Sequence, residues 1–275
     1  MTKLIAHTRK LNYDQKESQT LQEHNHNVAK LCEAVCEPIG LGKMGLLIGW
    51  LHDMGKAAQD VQNHIWEETA QKLNHSGAGM YWLWQHRRKQ KFTDYVMAQM
   101  VCLAIGCHHS GRCDYIAPDG SEPWLERMYS EKAAVRYNES IQAFFSDCCE
   151  ERDILKLIDQ ASEEFSAFEE RIRKKIQAEY NPETQNADFW TIYRFQIGFV
   201  QRFLFGALVD ADWTDTSCYM NQTCLAKSIP LEDRQKLWNH LSEKTESYLK
   251  KLSHKYAIDE LRQEISDQCF SAAQQ

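Results

Sequence analysis

Between Asp188 and Trp213 the apolar residues Phe189, Tyr193, Ile197, Val200, Leu204, Leu208 and Ala211 return every three or four positions. That repeat lines one face of an α-helix; a strand would need a repeat of two. The rhythm recurs through most of the chain. Thr20-Leu21-Gln22-Glu23 reads as a capping box opening a helix to about Cys36, with Val28, Leu31 and Val35 on one stripe and Pro38 and Gly40 ending it. A second helix is expected from Lys43 to Ala57, carrying His52, Asp53 and Lys56, with Gly55 as its weak spot. A third begins at His75 and uses Tyr81, Trp82 and Trp84. A fourth, Phe92 to Cys107, places Val96, Met100, Leu103 and Ala104 inside, delivers His108-His109 and stops at Gly111. Arg112 to Glu126, with Pro118, Gly120 and Pro123, reads as a loop shaping whatever lies beside those histidines. Further helices fill Ser130–Cys148, Arg152–Tyr180, Leu231–Leu252 and Tyr256–Cys269. There is no βαβ alternation and no internal repeat. The expectation is an all-α bundle, with residues 1–275 as one domain.

Bulk properties narrow the class. Hydrophobic residues make up 43% of the 275, enough for a sizeable core, and 5 Pro with 12 Gly argue against a loop-rich or disordered chain. No apolar run reaches the roughly 18 to 20 residues of a membrane span, and the N-terminus lacks a signal-peptide apolar region. The ten cysteines contain no Cys-x-x-Cys pair, so they read as reduced cytoplasmic thiols rather than a disulfide framework or a cysteine zinc site. A net charge of -7 lacks the basic excess usual in nucleic-acid binders. The basic runs Arg87–Lys91 and Arg171–Lys175 read as solvated helix surface.

The chemistry is carried by a series of imidazoles closed by a late carboxylate. His24 is the candidate on the first helix; His26, about 200° round, faces elsewhere. His52-Asp53 follows the apolar run Leu46–Leu51, His75 opens the third helix, and His108-His109 end the fourth. Asp212 is the favoured last member, with Asp210 and Asp215 as competitors. A carboxylate has two oxygens and can bridge two ions, which one imidazole cannot do. One cation would take His24, His52, Asp53 and Asp212; the other would take Asp53, His75, His108 and His109. Mixed nitrogen and oxygen donors suit Mn, Fe, Co or Ni, with Mg and Zn also compatible. Such a pair activates water and neutralises phosphoryl charge. Lys56, expected on the face of His52, can bind a phosphate oxygen and makes a catalytic pair with Asp53. His7, His64, His86, His240 and His254 have no companion in sequence and are left outside the site.

The series His24, His52-Asp53, His75, His108-His109 and Asp212 resembles the HD-domain metal-dependent phosphohydrolase superfamily. More narrowly, it is similar to the HD nuclease domain of the Cas3 family of type I CRISPR nuclease-helicases, subtype I-C. The strings Ile5–Lys10, Leu21–His24, Leu51–Lys56, His75–Gly79 and Leu208–Asp212 carry the likeness, which covers nearly the whole chain. It implies an HD-type helical bundle enclosing a two-metal site with these seven ligands. It also implies cytoplasmic cleavage of single-stranded DNA opened by a guide-RNA surveillance complex (Cascade), in partnership with a helicase domain. No Walker A string occurs, so no ATP site is expected here, and residues 256–275 look like the lead-in to a helicase. Two other readings use the same residues: an HD phosphohydrolase acting on nucleotides, and a non-catalytic module with a degenerate metal site.

Overall fold

The structure, a computed structural model, describes residues 3–12, 15–67, 75–111, 114–129, 131–181, 188–222, 231–252 and 255–273. It is all-α apart from one feature that the apolar periodicity did not announce, an antiparallel hairpin of β1 (Ile5–Asn12) and β2 (Gln15–Thr20). The strands are largely polar, so little of their stability is local. Their first residues are tied into the bundle instead: Leu4 N donates to Asp147 Oδ2, Ile5 N donates to Gln62 Oε1, and Gln62 Nε2 returns a bond to Ile5 O.

Helix α1 (Leu21–Cys36) starts where expected, with Thr20 Oγ1 accepting from Glu23 N at 3.1 Å. Its buried stripe is Leu21, His24, Asn25, Val28, Ala29, Cys32 and Cys36, and Val35, expected inside, is exposed. Two cysteines, small and apolar, occupy the core positions that a search for larger hydrophobes passes over. A 3₁₀ turn (Glu37–Ile39) and left-handed Gly40 close this segment. Helix α2 (Gly42–Leu51) is shorter than the expected Lys43–Ala57. It stops before His52, and Met54–Ala57 form a separate 3₁₀ turn. The turn brings the chain close to the backbone at His75: a Cβ on Gly55 would sit 2.0 Å from His75 O, so only glycine fits there. Gly49 does the same for α1 and α2, since a Cβ there would lie 2.3 Å from Ala29 Cα.

Helix α3 (Gln59–Glu67) was not anticipated. Helix α4 (Gly77–His86) starts two residues after His75, which leads into it rather than belonging to it, and of its three expected apolar residues only Trp82 is fully buried. Helix α5 (Phe92–Cys107) matches its expected range. Of the expected loop, Arg112 and Cys113 lie outside the described residues, and its second half opens a helix at once, α6 (Pro123–Tyr129). Helices α7 (Glu131–Asp147) and α8 (Glu151–Glu179) follow within a residue or so of expectation. Helix α9 (Phe189–Asn221) runs eight residues beyond the expected Trp213. The core lies where α1 packs on α2 and α9, α4 on α5, and α5 and α2 on α8.

The chain divides into two compact units, Met1–Cys224 and Leu225–Gln275. The second holds α10 (Leu231–Leu249) and α11 (Ala257–Ala273). Among the described residues no helix is long and apolar enough to cross a membrane. The described cysteines form no disulfide with one another, and five of them are buried: Cys32, Cys36, Cys102, Cys107 and Cys148.

Candidate metal centre

Five pieces of backbone converge on one carboxylate. Helix α1 contributes His24, the turn after α2 contributes His52 and Asp53, the lead-in to α4 contributes His75, the end of α5 contributes His108 and His109, and α9 contributes Asp212. Because α2 ends at Leu51, Asp53 is released from the 100° helical phase (its φ and ψ are -108° and 17°) and turns fully inward. Both oxygens of Asp53 are buried; Oδ2 is ion-paired with Lys56 Nζ at 2.7 Å, and among the described residues no other donor meets either oxygen at hydrogen-bond geometry. Oδ2 lies 3.3 Å from His24 Nε2 and 3.3 Å from His52 Nε2. Oδ1 lies 3.4 Å from His75 Nε2 and 3.5 Å from His108 Nε2.

Ligand atoms thus gather in two groups that share Asp53: His24, His52, Asp53 and Asp212 on one side, and Asp53, His75, His108 and His109 on the other. Within each group the donor atoms lie within 4.8 Å of one another. Asp212 Oδ1 stands 3.3 Å from His24 Nε2 and 3.9 Å from His52 Nε2, and His75 Nε2 meets His109 Nε2 at 2.8 Å. With metal–ligand bonds of about 2.0–2.2 Å, neighbouring donors around one ion fall about 3.0–3.5 Å apart. Most of the observed separations have that size, and two of them, His24 Nε2 to His52 Nε2 at 3.3 Å and His75 Nε2 to His109 Nε2 at 2.8 Å, also meet hydrogen-bond geometry. His108 Nε2, buried and without a hydrogen-bond partner, is a further donor aimed into the centre. The donor set therefore fits the binding of metal by buried His and Asp.

The imidazoles are oriented from behind. His52 Nδ1 donates to Gly49 O at 2.8 Å and His108 Nδ1 donates to Ile105 O at 2.6 Å. A carbonyl can only accept, so each ring is protonated at Nδ1 and presents an Nε2 lone pair when neutral. His24 Nδ1 donates to Asp215 Oδ2 at 2.7 Å, and Asp215 is itself held by Gln19 Nε2 at 2.7 Å and Asn27 Nδ2 at 2.8 Å. Asp215, the competitor of Asp212, is buried inside α9, because the helix runs on to Asn221. Asp212 likewise lies nine residues before the end of the helix, not at it. Asp210 is exposed and takes no part, and His26 is exposed against Trp50.

Electrostatics differ between the two groups. Burial disfavours charge on His24, but Asp212, Asp215 and Asp53 outweigh it and the net shift is upward. Burial likewise opposes charge on His52, and Asp53 with Asp212 lifts it to about 10. Asp53 would be raised by burial, yet Lys56, His52, His108 and His24 hold it well below the carboxylate range. Asp212 is also depressed, its burial outweighed by His24 and His52. On the other side, burial lowers His75 to about 3, and burial with the neighbouring His108 lowers His109 to about 4. Lys56 does not share a face with His52, as a continuous helix would require. It reaches back in the 3₁₀ turn and puts Nζ 2.7 Å from Asp53 Oδ2.

One neighbour was missed. His7, set aside for lack of a companion in sequence, is carried by β1 to within 4.7 Å of the His24 ring. Its Nε2 bonds Thr216 Oγ1 at 3.2 Å, and that hydroxyl lies 3.5 Å from Asp212 Oδ1. The only signal available was the string Ile5–Lys10 itself, because the hairpin that delivers His7 has no strong alternation. Compared with models of known protein families, the chain matches none.

Proposed function

We propose that this protein is a metal-dependent phosphodiesterase of the HD superfamily, a nuclease cutting single-stranded DNA in the cytoplasm as part of type I CRISPR interference. The observation that carries the reading is Asp53. A buried carboxylate whose two oxygens face two separate sets of imidazoles is the arrangement a bridged pair of divalent cations requires. His24, His52 and Asp212 would hold one cation, and His75, His108 and His109 the other. Bound divalent cations supply Lewis acidity, bringing the pKa of water near neutrality and neutralising charge on phosphoryl oxygens. The chain's own residues do the rest. Asp53 and Asp212 concentrate negative charge that draws cations in. Gly49 O, Ile105 O and Asp215 fix the ring orientations of His52, His108 and His24. Lys56 places an ammonium beside the bridge, where it can meet a phosphate oxygen. His109, exposed, marks the side from which substrate enters. The partners under this reading are a helicase domain and the guide-RNA surveillance complex that exposes the strand.

The test is a panel of metals against substrates: Mg, Mn, Co, Ni and Fe, each with single-stranded DNA, duplex DNA, RNA and nucleotides. Cleavage of single-stranded DNA with a transition metal, abolished by chelation, is the expected result. Hydrolysis of nucleotides without cleavage of DNA moves the assignment to a nucleotide phosphohydrolase. Protein that takes up no metal at all is a binding module.

A further inference from the structure

The first unit also holds a cleft of about 900 Å³ between α5 and α9, lined in addition by residues 114–116. Its floor is aliphatic, with Val96, Met100, Leu103 and Ile197, and three other kinds of group join it. Trp190, Tyr115 and Phe92 supply aromatic faces, Arg194 and Arg202 supply guanidinium groups, and Gln99 and Gln201 supply amides. Trp190 is 54% exposed and Phe92 73% exposed, unusual for rings with no solvent-facing task. Tyr115 is held in place, stacked on Trp124 at 5.4 Å with its hydroxyl bonded by Gln99.

The cleft also points at the centre. Arg194 and Asp212 are 18 residues apart on one helix, five full turns, so they share a face about 27 Å apart along the axis. Gln201 lies about three turns before Asp212 on nearly the same face. On α5, Leu103 lines the cleft and precedes His108 by five residues, about 8 Å. Both helices therefore run from the cleft toward the ligands.

Charge selects the occupant. Arg194 and Arg202 are exposed, and among the described residues neither forms an ion pair. Asp114 is the one carboxylate among the lining residues, and Asp188 at the head of α9 is engaged as its cap by Thr191 N at 2.7 Å. Aromatic faces interleaved with guanidinium groups along an open track match the bases and phosphates of an unpaired strand. We propose that this cleft holds single-stranded nucleic acid on its way toward the metal centre, with bases stacked on Trp190 and Tyr115 and phosphates on Arg194 and Arg202. The proposal rests on the nuclease reading above and adds the path by which the strand arrives.

The test is binding of a fluorescein-labelled oligo-dT to the full chain, followed by anisotropy in EDTA over a range of salt. Trp190→Ala is expected to weaken binding roughly tenfold or more, the loss of one stacked base. Arg194→Ala with Arg202→Ala is expected to lower the slope of log K against log salt by about 1.4, roughly 0.7 for each phosphate contact removed from a single strand. The lysine pair, Arg194→Lys with Arg202→Lys, keeps both charges and should keep the slope, which separates lost phosphate contacts from lost folding. Wild-type protein that does not bind the oligonucleotide overturns the proposal. So do variants that bind within twofold of wild type with an unchanged slope, or a lysine pair that loses the slope as fully as the alanine pair. Hydrolysis of bis(p-nitrophenyl) phosphate by wild-type protein with Mn reads the centre separately. Its absence alongside Trp190-dependent binding counts against the nuclease reading and not against the cleft.

Discussion

The two sides of Asp53 use the same ligand types in different surroundings. On the inner side, His24, His52 and Asp212 are all buried, and the surrounding carboxylates raise both rings, His52 to about 10. On the outer side Asp53 is the one carboxylate in the group, and burial first, with His108 and Lys56 adding to it, lowers His75 and His109, so both rings are neutral across the physiological range. A cation entering the inner group must displace the proton of His52; one entering the outer group finds lone pairs ready. The contrast teaches that a row of histidines is not one kind of ligand. The balance of carboxylates around each ring decides whether it arrives charged, and the number of carboxylates differs on the two sides.

The most severe way to break this comparison is to remove the residue common to both sides. Asp53→Ala is expected to abolish metal-dependent cleavage and reduce cation binding on both sides, with helical circular dichroism retained. Cleavage surviving at near wild-type rate ends the bridging role. Next come His24→Ala and His75→Ala, each aimed at one side. Under the two-cation reading, titration calorimetry with Mn should fall from two equivalents to one in both, and activity should drop to background. Two equivalents remaining in either variant shows that its side does not depend on that ring.

Asp215→Asn sharpens the comparison from behind. It leaves all ligands in place but weakens the group that orients His24, and the loss of such a support typically costs 10–100-fold in metal affinity. The effect should appear in the inner site and be absent from the outer one, which His75→Ala and His24→Ala backgrounds separate. Acidity gives a smaller effect with a definite sign. His52 rises to about 10 and is protonated at neutral pH, and His24 is also raised, so inner-site affinity should climb with pH by up to tenfold per unit for the proton displaced from His52. His75 at about 3 and His109 at about 4 are already neutral, so outer-site affinity should stay flat above about pH 5. Calorimetry in buffers of different ionisation enthalpy counts the protons, and equal release on both sides contradicts the contrast. The smallest effect is expected from His26→Ala, whose exposed ring lies outside both groups; cleavage should stay within twofold of wild type.

Several helices were legible because their cause is local. The 3.6-residue rhythm of Phe92–Cys107 and of residues 131–179 needs no tertiary information, and the Thr20 cap is a contact across three residues. The β hairpin was not legible because bonds to Asp147 and Gln62, far along the chain, help hold it. The early stop of α2 was hidden too; the turn after it brings Gly55 close to the backbone at His75, a contact that periodicity does not carry. With that stop comes the freedom of Asp53 to turn inward, and with the hairpin comes His7 beside His24.

The late carboxylate shows where the boundary lies. Asp212 and Asp215 are three residues apart on one helix, about 60° around its axis, so both border the same buried face and periodicity alone cannot rank them. The tertiary structure separates them through a single ring: His24 turns Nε2 toward Asp212 and Nδ1 toward Asp215, making one a member of the ligand group and the other its support. The amino-acid sequence by itself determined which residue types were available and which helices would carry most of them, because helical periodicity is a property of neighbours a few positions apart. Which atom faces which was decided by how α1 crosses α9, and that crossing is set by side chains packed from opposite ends of the chain.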